Sequence, residues 1–213
     1  GMGHFDLSMQ ALRELTMRFS MEFTLRHFLN ENPARVMEFL QDWVTDENYH
    51  VRRLVSEGTR PRLPWGVNVG LHVQEPIPFL DHLYRDKTRY VTRSVANHLN
   101  DVAKVDADLV VQTLKRWKGE AGQTEKEMDW IMRHALRTLV KKGDSAALAV
   151  LGYQPDPPID VGQLALPDSV AIGDALSFEL NVQANSATRL MVDFVIEFVK
   201  ADGRRKPKVF KLK

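Results

Sequence analysis

Between Val51 and Gly66 the chain gathers side chains that could act together: Arg52, Arg53, Glu57, Arg60, Arg62 and Trp65. Arginines at this density suit a polyanion, and a carboxylate held among cations that would bind a phosphate backbone points to chemistry carried out on it. Glu57 lies four residues after Arg53, so the two share a helix face. From charge spacing alone that pair reads as a surface ion pair worth under about 1 kcal/mol. The alternative is a working carboxylate. Trp65, on a loop with two prolines and two glycines, reads by itself as a core plug; its alternative is an exposed platform for a base or sugar.

Further candidates sit on other helices. Arg93, Asn97 and Asp101 follow one another at four-residue spacing, although Asp101 is expected to cap or to pair with a neighbouring arginine rather than to catalyse. Trp130, Arg133, His134, Arg137, Lys141 and Lys142 form a third group. Its ladder of Arg133, Arg137 and Lys141 favours phosphate contacts, or else a solvated face whose lysines suit the negative end of a helix dipole. Glu22, among Phe19, Phe23 and Leu25, is either perturbed by partial burial or exposed on an amphipathic helix. Seven scattered histidines lack the paired spacing of a helical metal site. No metal and no cofactor are expected.

The elements that must position these residues recur. Val51-Arg52-Arg53-Leu54-Val55-Ser56-Glu57, Val91-Thr92-Arg93-Ser94-Val95-Ala96-Asn97 and Ile131-Met132-Arg133-His134-Ala135-Leu136-Arg137 repeat at one fixed interval, with arginine third in each. A period near 40 is HEAT-like. Such arrays bury apolar faces only against neighbouring repeats, so the inner helices line one continuous surface and the three arginines are expected to form a basic stripe along it. Outer helices are expected at Ala34–Trp43, Pro78–Arg85 and Asp108–Lys118, with Pro33, Pro76 and Pro78 near their starts, where a missing N–H costs little. Within Met21 to Arg26 no arginine stands one full period before Arg53, and Asp6 is the one obvious cap of the first helix.

After Tyr153 the texture changes. Pro155-Asp156-Pro157-Pro158 is a stiff linker. Beyond it, Leu176, Phe178, Leu180 and Val182 alternate with polar residues, as do Val192, Phe194, Ile196 and Phe198, and this period of two predicts antiparallel strands with one buried face. Val161–Leu166 and Val209–Leu212 are shorter strand candidates. Four strands make part of an immunoglobulin-like sandwich, which needs about seven. The expected fold is therefore an all-α HEAT-like superhelix over 4–153, a Pro-rich linker over 154–159, and a small, incomplete all-β immunoglobulin-like module over 160–213. The half sandwich and the abrupt first helix predict a segment of a longer protein.

The motif from Val51 to Gly66, Ser94-Val95-Ala96-Asn97-His98-Leu99-Asn100-Asp101, and Arg133 to Lys141 together resemble the bacterial AlkC branch of the AlkC/AlkD-like HEAT-repeat DNA glycosylases. The resemblance runs from about His4 to Tyr153, and the strand segment resembles the immunoglobulin-like extension that some of that branch carry. It implies removal of cationic alkylated bases such as 3-methyladenine from double-stranded DNA. It also implies Glu57 and Glu22 as active-site carboxylates, Trp65 packing near the lesion, and Arg53, Arg93, Arg133 and Arg137 on backbone phosphates. Arg60, Arg62 and Lys141 complete the expected DNA-binding set, with Asp101, Asn97, Trp130 and His134 behind them.

Composition bounds these readings. In 213 residues, 29 Lys and Arg stand against 28 Asp and Glu, a net +1, so nucleic-acid binding would depend on where charges sit rather than on their excess. The absence of cysteine removes disulfides, thiolate zinc sites and cysteine nucleophiles. No run spans a bilayer, and a bacterial cytoplasmic location with activity at the nucleoid is expected. The competing function is a non-catalytic DNA-binding or protein-interaction scaffold.

Overall fold

The computed structural model describes residues 2–154 and 156–211; the expectations placed on Pro155 and Leu212 lie outside them. The chain divides into two compact units, Gly1–Leu151 and Gly152–Lys213.

The first unit holds nine α-helices among the described residues: α1 Phe5–Thr16, α2 Glu22–Glu31, α3 Pro33–Trp43, α4 Tyr49–Gly58, α5 Ile77–Leu83, α6 Arg89–Val102, α7 Ala107–Glu120, α8 Glu125–Lys141 and α9 Ser145–Val150. Their starts follow the cap chemistry of the sequence. Asn32, Asn48, Asp106, Thr124 and Asp144 each accept a backbone N–H from the first turn of the following helix. Pro33 opens α3, and Pro76 and Pro78 flank the start of α5. Asp6, expected as the cap of α1, lies instead inside its first turn and pairs with Arg35.

The inner helices α4, α6 and α8 pack in sequence order, α4 on α6 and α6 on α8. Each turns a wholly buried apolar row inward, represented by Val51 and Leu54, Val95 and Leu99, and Ile131 and Leu136. Ion pairs between repeats fix the stacking. Arg13 donates to Asp46 (2.7 Å) and Arg52 to Asp86 (2.5 Å). Asp46 and Asp86 stand one repeat apart, and each also accepts a backbone N–H just ahead of an inner helix, from Asn48 and Thr88 (both 2.8 Å).

The second unit is two antiparallel hairpins, β1 Ile159–Ala165 with β2 Glu179–Ala184 and β3 Asp193–Val199 with β4 Arg205–Lys211. The expected run from Leu176 enters the strand only at Glu179. Phe194 stacks on Phe210 at 5.0 Å and meets Phe178 at 5.5 Å, over an apolar groove of about 350 Å³ lined by Leu164, Leu176, Leu180 and Ile196. No described residue from 156 to 210 is buried. Phe198, expected on the buried face, is 44% exposed.

A candidate two-carboxylate site

Helix geometry brings Glu22, from the first turn of α2, and Glu57, from the last turn of α4, onto one arginine. Arg53 Nη2 lies 3.4 Å from Glu22 Oε1 and 3.8 Å from Glu57 Oε2. Arg53 Nη1 also reaches Ser20 Oγ at 3.3 Å, and the guanidinium lies over the ring of Tyr90. Both glutamates are only 6% exposed. The surface ion pair expected from spacing is therefore a buried one, because α2 covers this side of α4.

The two carboxylates differ in what holds them. Glu57 accepts from Arg60 Nη1 at 2.5 Å and from Ser94 Oγ at 2.6 Å, so both its oxygens carry short bonds. The hydrogen bonds that reach Glu22 are the long ones from Arg53, at 3.4 and 3.5 Å. Behind Glu57, Arg60 gives Nε and Nη2 to Asp101 Oδ2 (2.9 and 2.7 Å), and Lys104 Nζ closes the row on Asp101 Oδ1 at 2.7 Å. Asp101 thus takes the arginine-pairing role expected of it. Arg60, expected on backbone phosphates, is a correction: it is buried and committed to two carboxylates.

Trp65 is the second correction. It is not a core plug but 96% exposed, with a left-handed backbone at φ 62°. Arg62, beside it, is exposed as well. The expected arginine stripe separates by burial: Arg53 is turned onto carboxylates, while Arg93 and Arg133 are exposed, the latter 3.5 Å from Asp129.

A second cluster forms where α6 meets α8. Trp130 stacks on His134 (4.7 Å) and lies under the guanidinium of Arg89. Asn97 Oδ1 accepts from His134 Nε2 (2.8 Å) and Arg137 Nη2 (3.1 Å). Partial burial, then Arg137, Arg93 and Arg89, push His134 down to about 4. Lys141 stands exposed at the end of α8.

Residues that pattern reading passed over complete the first site. His98 has no exposure, and its Nδ1 lies 2.9 Å from Ser56 O. A carbonyl only accepts, so Nδ1 carries the proton. Burial, and after it Arg60 among its neighbours, push His98 down to about 4. Ser94 bonds Glu57 and lies 3.0 Å from Ser56 Oγ. Arg26, four residues after Glu22, was the one such residue with a legible signal, since it shares that carboxylate's helix face. Among the described residues no group of three or more His, Asp or Glu side chains is arranged to hold a metal ion, and no helix is long and apolar enough to cross a membrane.

Three comparisons bear on this geometry. Residues 160–213 match the family described as uncharacterised protein YhaZ, C-terminal Ig-like domain. The uncharacterized protein YhaZ of Bacillus subtilis (strain 168) is 38% identical over 216 residues, covering 100% of this chain and 59% of that protein. Pseudomonas fluorescens alkylpurine DNA glycosylase AlkC, solved bound to DNA containing an abasic site analog, superposes with a TM-score of 0.88 at 37% identity, over 99% of this chain and 59% of that one. In sequence and in fold the chain is AlkC-like. It spans about three-fifths of the length of either relative. The AlkC-like match takes in both units, and hence the helices that bear Glu22 and Glu57 as well as the strands.

Proposed function

We propose that this chain belongs to a DNA base-excision-repair glycosylase that hydrolyses the N-glycosidic bond of cationic alkylated bases such as 3-methyladenine in duplex DNA. The observation that carries this reading is the pair of nearly buried carboxylates, Glu22 and Glu57, sharing Arg53, with Glu57 in the last turn of the helix from which the loop exposing Trp65 leaves. Likeness to a protein that is itself an alkylpurine DNA glycosylase supports it.

The chemistry suits carboxylates. An N3-alkylated purine is positively charged and leaves with the bonding electron pair as a neutral base, so no general acid is required. The sugar it leaves develops oxocarbenium character, which a fixed negative charge stabilises. Water then adds at the anomeric carbon and gives up a proton to a nearby base. Glu57, locked by Arg60 and Ser94, fits the fixed charge. Glu22, with lone pairs to spare, fits the group that orients and deprotonates water. Arg62, Arg93, Arg133, Arg137 and Lys141 are the exposed cations for backbone phosphates, and Trp65 is the packing surface beside the lesion.

A non-catalytic DNA-binding or protein-interaction scaffold is the competing reading, favoured by the saturation of Glu57 with structural partners. Release of 3-methyladenine from methylated duplex DNA separates the two. Release by the protein that is lost in Glu57→Gln and in Glu22→Gln supports the glycosylase. Salt-sensitive duplex binding without release would establish the DNA scaffold, and binding to a protein partner that resists moderate salt would establish the interaction module.

A further inference from the structure

Arg26 is a cation with no solvent exposure, a position charged side chains rarely occupy unless paired. Yet among the described residues it forms no ion pair. Its Nε donates to Val67 O (2.6 Å), and its Nη1 donates to Gly58 O (3.0 Å) and Arg60 O (2.8 Å). Its Nη2 finds no hydrogen-bond partner. A desolvated guanidinium spent on carbonyls is an expensive way to fill a core site, because an apolar side chain of similar volume would fill it without the desolvation cost.

The three carbonyls show what the cost secures. They lie on both sides of the loop that leaves α4, at 58, 60 and 67, and the planar fork reaches all three at once. The guanidinium also lies against Gly66, where an added Cβ would stand 3.3 Å from Arg26 Nε. One turn further along α2, Asn30 donates to Asn68 O (2.7 Å) and accepts from Gly70 N (3.2 Å). Helix α2 therefore grips the loop at its two ends and leaves the stretch with Arg62 and Trp65 facing outward. The same helix begins with Glu22.

We propose that Arg26 is a positioning residue of the two-carboxylate site. It fixes the backbone of Arg60, which holds Glu57, and of Val67, two residues after Trp65, and it ties both to the helix that carries Glu22. The activity readout below rests on the glycosylase reading; the exchange readout does not.

The test uses Arg26→Met, Arg26→Lys and Asn30→Ala in the intact protein, followed by hydrogen exchange of the amides from 58 to 70 and by release of 3-methyladenine from methylated duplex. Arg26→Met is expected to speed exchange across this loop and to lower kcat by about 10- to 100-fold with KM little changed, the loss that follows from misplacing catalytic groups by about 1 Å. Arg26→Lys keeps the charge but not the fork, and should behave like Arg26→Met. Asn30→Ala removes a solvent-exposed tie, and should speed exchange near 68–70 with a smaller fall in kcat. Full rescue by Lys would overturn the proposal in favour of a purely electrostatic role. Unchanged exchange and kcat in the folded variants would overturn it outright. If the unmodified protein released no base, the glycosylase reading would fail while the exchange arm still decided whether Arg26 positions the loop.

Discussion

Arg53 and Arg133 hold the same place in the repeat, third in the first and last of the three motifs, and meet opposite surroundings. The side chain of Arg53 is 15% exposed, between two glutamates and a tyrosine ring; that of Arg133 is 59% exposed, with a loose contact to Asp129. Their neighbours account for the difference. Helix α4 is packed by α1, α2, α3, α5 and α6, whereas α8 meets α6, α7 and α9. A repeat fixes which face a side chain takes, and the elements laid over that face decide whether it becomes a buried partner for carboxylates or an exposed cation.

The largest break of this contrast should come from the buried side. Arg60→Met leaves Glu57 and Asp101 desolvated without their shared cation, and should lower unfolding free energy by about 3–5 kcal/mol in urea denaturation. Arg133→Met, at the exposed position equivalent to Arg53, should leave the urea midpoint unmoved.

A pH series sharpens the same point. His98 is held near 4 when folded and titrates near 6.5 when unfolded. Between those values the unfolded chain binds more protons, so stability is complete above about pH 6.5 and falls as pH drops towards 4. The loss amounts to about 3 kcal/mol. His98→Asn keeps a donor for Ser56 O and should remove the His98 share of the fall in urea midpoint across that window, leaving the share of His134.

At the exposed rim the effects move from stability to binding. Trp65→Ala should leave unfolding unchanged, because the ring is 96% exposed, and should weaken binding to lesion-bearing duplex by about 1–3 kcal/mol, the usual worth of one base stack. A shift in the urea midpoint instead would mean that Trp65 supports the loop. Smallest of all, Arg133→Gln should reduce the salt slope of duplex binding by about one phosphate's worth, read from titrations at several salt concentrations. An unchanged slope would remove Arg133 from the phosphate-facing set.

The strand unit shows the same division between pattern and cover. Its period of two located the hairpins, and Phe194, on the face that alternation assigns it, stacks on Phe210. Phe198 shares that face and stays exposed, because alternation says which side a residue takes and not whether a second layer lies over it.

What the sequence determined by itself is local and periodic: the fixed register of the inner helices, the prolines at outer-helix starts, and the switch from helix to strand after Tyr153. Each follows from backbone preferences within one or two turns, or from a face shared at fixed spacing. Tertiary structure alone decided that Arg60 faces inward, that Trp65 faces outward, that Ser94 bonds Glu57, that His98 bonds Ser56 O, and that Arg26 binds the loop carbonyls. Arg26, Ser94 and Asp101 meet their partners across separations of 32 to 41 residues. No periodicity encodes which of several arginines will find a given glutamate. That choice is made by which helix lies over which, and a buried charge must then take whatever partner the packing brings it.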